Sequence, residues 1–65
     1  MQEPELKFEI YQDARDEWRW RLKIKNGKTI ADSGEGYKNQ TDCVAMVNKI
    51  KTHAKDAGVD YIIRV

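Results

Sequence analysis

EWRWRLKIKNG, residues 17–27, is the most regular stretch of the chain. Large apolar side chains alternate with cations for eight residues, and the alternation stops at an Asn-Gly pair. A period of two is typical of a strand with one face in a core, because successive side chains point to opposite faces. The apolar row comprises Trp18, Trp20, Leu22 and Ile24, and the cationic row comprises Arg19, Arg21, Lys23 and Lys25.

The same alternation appears upstream, where Leu6, Phe8 and Ile10 predict a first strand over residues 6–12. The next five residues, four of them charged, have the length of a hairpin loop, which places Gln12 opposite Trp18 in an antiparallel pair. The register then follows along both strands. It places Glu9 opposite Arg21, Tyr11 opposite Arg19, Lys7 opposite Lys23, Glu5 opposite Lys25, Ile10 opposite Trp20 and Phe8 opposite Leu22.

Asn26-Gly27 is a strong hairpin signal with two compatible registers, a two-residue type I′ turn or a three-residue loop with Gly27 left-handed. The two-residue turn would place Ile30 among the cations, whereas a loop over residues 25–27 would pair Leu22 with Ile30 on the apolar face. We therefore expect the three-residue loop after a second strand over residues 18–24, and a third strand over residues 28–32.

The period changes downstream to steps of three and four, which predicts a helix over about residues 40–56. Its apolar stripe is Cys43, Val47, Ile50 and Ala54. Asn39 is suited to the N-cap, and Gly58 can end the helix. The β-branched residues that follow predict a fourth strand over residues 60–65. The expected fold class is α+β, a β-β-β-α-β unit with one helix packed on one face of an antiparallel sheet.

The chain has 65 residues, which is room for one small domain over residues 1–65. A domain this short buries only about 60% of the surface of its unfolded chain, so it usually needs a disulfide, a metal or a partner. Cys43 has no second cysteine to pair with, and one Cys and one His cannot complete a tetrahedral zinc site. We therefore expect a partner chain.

The formal net charge is +1, so no strong overall field attracts an anionic polymer. The start, MQEPELKFEI, is acidic and lacks the apolar segment of a secretory signal, and nothing later approaches a membrane span. The unpaired cysteine agrees with a reducing compartment. We expect a cytoplasmic protein with no membrane partner.

Three stretches carry a family resemblance: FEIYQD (residues 8–13), EWRWRLKIKNG (residues 17–27) and IADSGEGY (residues 30–37). Followed by a helix, they resemble the YegP-like family of small proteins of unknown function. The resemblance implies tandem repeats or a homodimer with one continuous sheet and exchanged C-terminal strands. The exchanged strand here would contain Tyr61, Ile62, Ile63 and Val65. The resemblance implies no activity, so any function must come from the residues themselves.

The cationic row with Tyr11 is a candidate surface for nucleic acid or another polyanion. The alternative is a solvated sheet face with cross-strand ion pairs, and it is favoured because the tryptophans belong to the opposite face. A helix-preceding loop, Gly34, Glu35, Gly36 and Tyr37, is a second candidate. It lacks the lysine and full glycine pattern of a phosphate loop, so a tight connection with two left-handed or closely packed glycines is favoured.

The remaining chemical side chains have structural interpretations. Cys43 is expected in the core, and His53 at the half-buried edge of the apolar stripe. We assign no catalytic, metal or cofactor residue, since Glu35 is a lone carboxylate and no Ser-His-Asp set is present. The first functional hypothesis is a small homodimeric, non-enzymatic interaction module. The alternative is a nucleic-acid or polyanion binder.

Overall fold

Three strands form one antiparallel sheet, and a single helix packs against it in the computed structural model, which describes residues 4–63. The elements are β1 (Leu6–Gln12), β2 (Trp18–Ile24), β3 (Thr29–Asp32) and α1 (Gln40–His53), followed by a 3₁₀ turn (Ala54–Asp56). The strand order is β1-β2-β3, so β2 is central. The α+β class expected from the change in sequence period is confirmed.

The loop between β1 and β2 sets the expected register, with Gln12 opposite Trp18 and six further pairs down to Leu6 opposite Ile24. Asp13 closes this loop. Its N–H donates to the carbonyl of Glu17 at 2.8 Å, and its Oδ1 accepts from the N–H groups of Arg15 and Glu17. An aspartate that bonds nearby backbone in this way forms a stable turn, which keeps the two strands from slipping.

Residues 25–27 form the three-residue loop predicted from the sequence, and Lys28 closes it opposite Ile24. The N–H of Ile24 donates to the carbonyl of Lys28 at 2.9 Å, and the N–H of Gly27 donates back to Ile24 at 2.8 Å. Gly27 has a φ of +93°, the left-handed region in which a residue with a Cβ is strained. Glycine at this position therefore stabilises the turn.

The expected pairing of Leu22 with Ile30 is wrong. Lys23 lies opposite Thr29, but Leu22 lies opposite Ala31, so Ile30 is an extra residue in β3 and forms a bulge. Ile30 is exposed. A bulge leaves one residue unpaired and shifts the register by one, which the apolar pattern alone cannot reveal.

The core lies between β2 and α1. Trp20 is 9% exposed, Cys43 is fully buried and Val47 is buried beside them. Half-buried side chains surround this centre, namely Phe8, Ile10, Trp18, Leu22, Tyr37 and Ile50. The rings of Phe8 and Trp20 meet edge to face, with centroids 5.6 Å apart, a favourable aromatic geometry. Burial raises the pKa of the Cys43 thiol, as expected for a small core residue.

The helix ends differ in detail from the sequence-based expectations. Asn39 occupies the N-cap, but its side-chain amide donates to Asp42 at 3.4 Å rather than capping a backbone N–H. The helix ends at His53 and tightens into the 3₁₀ turn, so Gly58 does not terminate it. His53 is exposed rather than half-buried, because it lies at the end of α1, where every described residue after Ile50 is exposed. At Ala57 the backbone becomes extended.

The predicted fourth strand is not formed over residues 60–63 in the single chain, and Val65 lies outside the described residues. Tyr61 and Ile63 are 92% and 93% exposed, and Ile62 is also exposed. A strand requires a neighbouring backbone to accept and donate its hydrogen bonds, and none of the described residues pairs with this segment. The β-branched segment therefore has no strand to pair with among the described residues of a single copy.

Candidate functional site

Arg19 of the cationic row is bound by a carboxylate that the strand register does not predict. Its Nε donates to Asp13 Oδ2 at 2.6 Å. This bond, together with backbone N–H groups from Glu17 and Arg15, lowers the pKa of Asp13 below its ordinary value. The same bond raises the pKa of Arg19. Asp13 continues the odd-numbered face of β1, two residues beyond Tyr11, and this parity was the available signal.

Arg21 is held from two sides. Its Nε donates to Glu9 Oε1 at 2.7 Å, and its guanidinium lies 4.8 Å from the ring centroid of Tyr11. Lys23 Nζ lies 3.6 Å from the same Glu9 oxygen. The hydrogen bond from Arg21, followed by the charge of Lys23, lowers the pKa of Glu9. The expected cross-strand pair between Glu9 and Arg21 is therefore present as a direct ion pair.

The cationic row thus lies on one face of the sheet with its arginines already engaged. Asp32, opposite Arg21 on β3, adds another carboxylate beside the row. The tryptophans lie against α1 on the other face, so Tyr11 is the aromatic side chain placed beside the cations. Proteins that bind single strands by stacking display aromatic rings among their cations. This face resembles a partly neutralised sheet surface more than a stacking platform.

The second candidate, residues 34–37, continues the sheet beyond β3. Tyr37 and Trp18 exchange two backbone hydrogen bonds, each 2.7 Å long, so the chain returns to the edge of β2 just before the helix. Gly34 has a φ of +72°. Between β3 and Tyr37 the loop therefore leaves β2 and then returns to it. The left-handed conformation of Gly34 allows this bulge.

Gly36 is required for a different reason, which is that its backbone lies very close to Glu17. A Cβ added there would lie 2.6 Å from the Glu17 Cβ and 2.5 Å from Glu17 Oε1. Glu35 between the two glycines is exposed, and its carbonyl accepts a hydrogen bond from the Ser33 hydroxyl at 2.8 Å. This geometry is that of the tight connection between β3 and α1 that the sequence favours. It places Glu35 at the surface rather than in a cleft.

The most unusual surface is formed by residues 57–63, here termed the C-terminal segment. It presents Val59, Tyr61, Ile62 and Ile63, all exposed, beyond the end of the helix. An apolar groove of about 310 Å³ is open near the same end of α1. Its lining is Leu6, Phe8, Leu22, Ile50, Lys51 and Ala54. Exposed apolar surface of this extent in a small domain is typical of an interaction site.

Other classes of site lack support in residues 4–63. No group of three His, Cys, Asp or Glu side chains there could hold a metal ion. Among the helical residues of this range, no helix is long and apolar enough to cross a membrane.

A three-stranded antiparallel sheet covered by one helix, with an exposed β-branched segment after it, defines a small α+β domain built on a central Trp-rich strand. The chain belongs to the YegP-like family. Residues 13–60 match the family model described as "Domain of unknown function (DUF1508)".

Relatives of similar length share this domain. A "UPF0339 protein" of Treponema denticola is 42% identical over 53 residues, covering 82% of this chain and 90% of the relative. The "UPF0339 protein NMB1088" of Neisseria meningitidis is 49% identical over 45 residues, covering 69% and 79%. A solved structure, described as "NMR solution structure of the protein from Haloferax volcanii", superposes with a TM-score of 0.78 at 40% identity, covering 89% of this chain and 97% of that one.

One relative differs in length. The "UPF0339 protein in ptx operon 5'region" of Stutzerimonas stutzeri is 47% identical over 49 residues, which are 75% of this chain but 43% of that protein. The family is of unknown function, and its descriptions indicate no specific biochemical role.

Proposed function

We propose that this chain is a homodimeric, non-enzymatic interaction module in which the C-terminal segment of each copy completes the sheet of the other. The observation that carries the proposal is the nearly complete exposure of Tyr61 and Ile63 in a segment whose composition favours a strand. Monomeric proteins rarely leave such a segment in water, because burying each large apolar side chain contributes about 1.5–3 kcal/mol. A second copy is the partner that every solution of this protein contains.

The position of the segment supports exchange between copies. The backbone becomes extended at Ala57, directly after the 3₁₀ turn, and the apolar side chains that follow are exposed. In the described part of the chain, β1 and β3 each pair on one side only, so both present an edge. An exposed edge is a template for another strand, and exchange of an identical element closes a two-fold dimer at low cost.

The size of the core supports the same proposal. Among residues 4–63, three buried side chains form the centre of the core, which is a small core for an independent domain. The open apolar groove beside Ile50 and Ala54 leaves further apolar surface to be covered. The Stutzerimonas relative is more than twice as long as its matched segment, a length that two linked units would need. Two copies of this chain would supply the same two units without a linker.

Several features fit a non-enzymatic role. The Cys43 thiol is fully buried and its pKa is raised, both of which disfavour the reactive thiolate. Glu35 is exposed, and we identify no second carboxylate that would act with it in catalysis. A single buried, unpaired cysteine also fits a reducing compartment such as the cytoplasm.

The test compares the full chain with two altered chains. Deleting residues 60–65 removes the exchanged strand, and Ile62→Lys places a charge in it. Ala45→Lys adds the same charge on an exposed helix position and serves as the control. Sedimentation equilibrium should give a dimer for the full chain and for Ala45→Lys. Both changes in the segment should abolish the dimer and cooperative thermal unfolding together.

Strand exchange is distinguished from other dimers by mixing copies labelled with ¹⁵N and with ¹³C. Cross-copy nuclear Overhauser effects between residues 61–63 and a sheet edge of the partner are expected. A full chain that stays monomeric at high micromolar concentration contradicts the proposal, and so does a truncated chain that folds as a stable monomer.

Polyanion binding by the whole cationic row has less support, because Asp13 and Glu9 already hold Arg19 and Arg21. We expect weak nucleic-acid binding at most, and we expect replacement of Arg19, Arg21 and Lys23 together by Gln to leave folding and dimerisation intact. Binding of labelled single- and double-stranded nucleic acid at two salt concentrations tests this. Submicromolar, salt-sensitive binding that the triple variant loses would make this the leading function.

A further inference from the structure

A second concave surface lies on the cationic side of the sheet, opposite α1. Its volume is about 260 Å³, and Lys7, Lys23 and Lys25 line it together with Glu9 and Ile24. We propose that this groove is a binding site for a small multivalent anion of the phosphate type. The proposal is independent of dimer formation, so either can fail without the other.

The strand register creates the positive charge of the groove. Lys7 lies directly opposite Lys23, and like charges facing each other across two strands are destabilising. A third lysine, Lys25, lines the same groove. A bound anion would remove the repulsion among these groups. This relief would favour binding without any additional helix, strand or loop.

The carboxylate of the groove does not neutralise it. Glu9 is the acidic side chain among the described lining residues, and its Oε1 already accepts from Arg21 at 2.7 Å. Lys23 Nζ approaches the same oxygen at 3.6 Å, a longer contact. One carboxylate therefore serves an arginine outside the groove and a lysine within it, and the groove keeps an excess of positive charge.

The chemistry of the lysines fits a phosphoryl group. Lysine is a compact point charge on a flexible stem, so three ammonium groups can converge on the oxygens of one small anion. The arginines of the cationic row, by contrast, are fixed in their own ion pairs. A nucleic-acid site needs more phosphate contacts than three lysines can make, so the groove favours a small ligand.

The experiment titrates ¹⁵N-labelled full-length protein with inorganic phosphate and with pyrophosphate, at constant low ionic strength maintained with sodium chloride. Saturable shifts of the amides of Lys7, Lys23, Lys25 and Gly27 are expected, with pyrophosphate binding more tightly. Lys7→Gln and Lys25→Gln should each weaken binding about two- to fivefold, the size of one exposed charge contact. Lys49→Gln, the same charge change on the helix, should have no effect.

Three outcomes would overturn the proposal. One is a set of linear, unsaturable shifts equal to those caused by chloride alone. Another is equal weakening by Lys49→Gln, which would indicate a response to net charge only. The third is tight binding of a single-stranded oligonucleotide that depends on Arg19 and Arg21, which would assign the face to a polynucleotide. The amide spectrum of each variant establishes that it remains folded.

Discussion

Trp20→Ala is the substitution that most directly tests the face assignment of the central strand. Trp20 is 9% exposed, packs against Cys43 and Val47, and meets Phe8 edge to face. A buried tryptophan removes roughly 200 Å² from water, which at about 25 cal/mol per Å² corresponds to about 5 kcal/mol. The retained alanine methyl group lowers this figure, and the lost aromatic pair raises it again. We expect a loss of about 3–5 kcal/mol in the free energy of unfolding.

A loss of this size is a large part of the total. At about 0.05–0.15 kcal/mol per residue, a 65-residue domain has roughly 3–10 kcal/mol of stability. Trp20→Ala can therefore prevent folding, and Trp20→Phe keeps the test usable. The indole Nε1 of Trp20 is buried without an acceptor among the described residues. Phenylalanine removes that donor and keeps most of the apolar contact, so its cost should be well below that of alanine.

The assay is urea unfolding followed by circular dichroism, because removing a tryptophan changes the fluorescence signal itself. Protein concentration is held constant, since dimer formation would make the midpoint depend on it. Arg21→Ala is the matched control on the opposite face of β2, where an exposed ion pair contributes little. Comparable losses for Trp20→Ala and Arg21→Ala would refute the assignment of the two faces.

Two further predictions concern the loops. The pKa of Asp13 is lowered in the folded chain by its bond from Arg19, so its stabilising contribution is present above its unfolded pKa near 4 and is lost as pH falls through the folded value. Asp13→Asn should therefore flatten the decline of the melting temperature on acidification below about pH 5, and an unchanged acid profile would contradict this. Gly36→Ala should destabilise the fold because its Cβ would overlap Glu17, whereas Gly58→Ala, with nothing within 4 Å, should be neutral or slightly stabilising in thermal unfolding. Equal effects of the two glycine substitutions would show that close approach at Gly36 is unimportant.

The first hairpin was predictable because each step depends on local information. Alternation assigns each side chain to a face, and a five-residue loop sets which residues meet. The pairing of Glu9 with Arg21 and of Ile10 with Trp20 follows from these two facts, and the structure has both pairs. The core position of Cys43 follows in the same way from a helical period.

The candidate site was predictable only in part. Parity placed Arg19, Arg21 and Tyr11 on one face, where the structure has them. For the ion pair of Arg19 with Asp13, the parity of β1 was only a partial signal, because Asp13 lies beyond the regular strand and its position also depends on how the loop folds. The lysine groove likewise depends on the three-dimensional spacing of two strands and a turn, although its residues were visible in the sequence.

What the amino-acid sequence determined by itself was therefore the set of elements, the buried face of each and the first strand register, since all three arise from short-range periodicity. Tertiary structure alone decided the bulge at Ile30, which places Ala31 rather than Ile30 opposite Leu22. It also decided that Tyr61 and Ile63 remain exposed. Composition can favour a strand, but a strand forms only where another backbone lies beside it, and that neighbour is a property of the assembled sheet rather than of the segment.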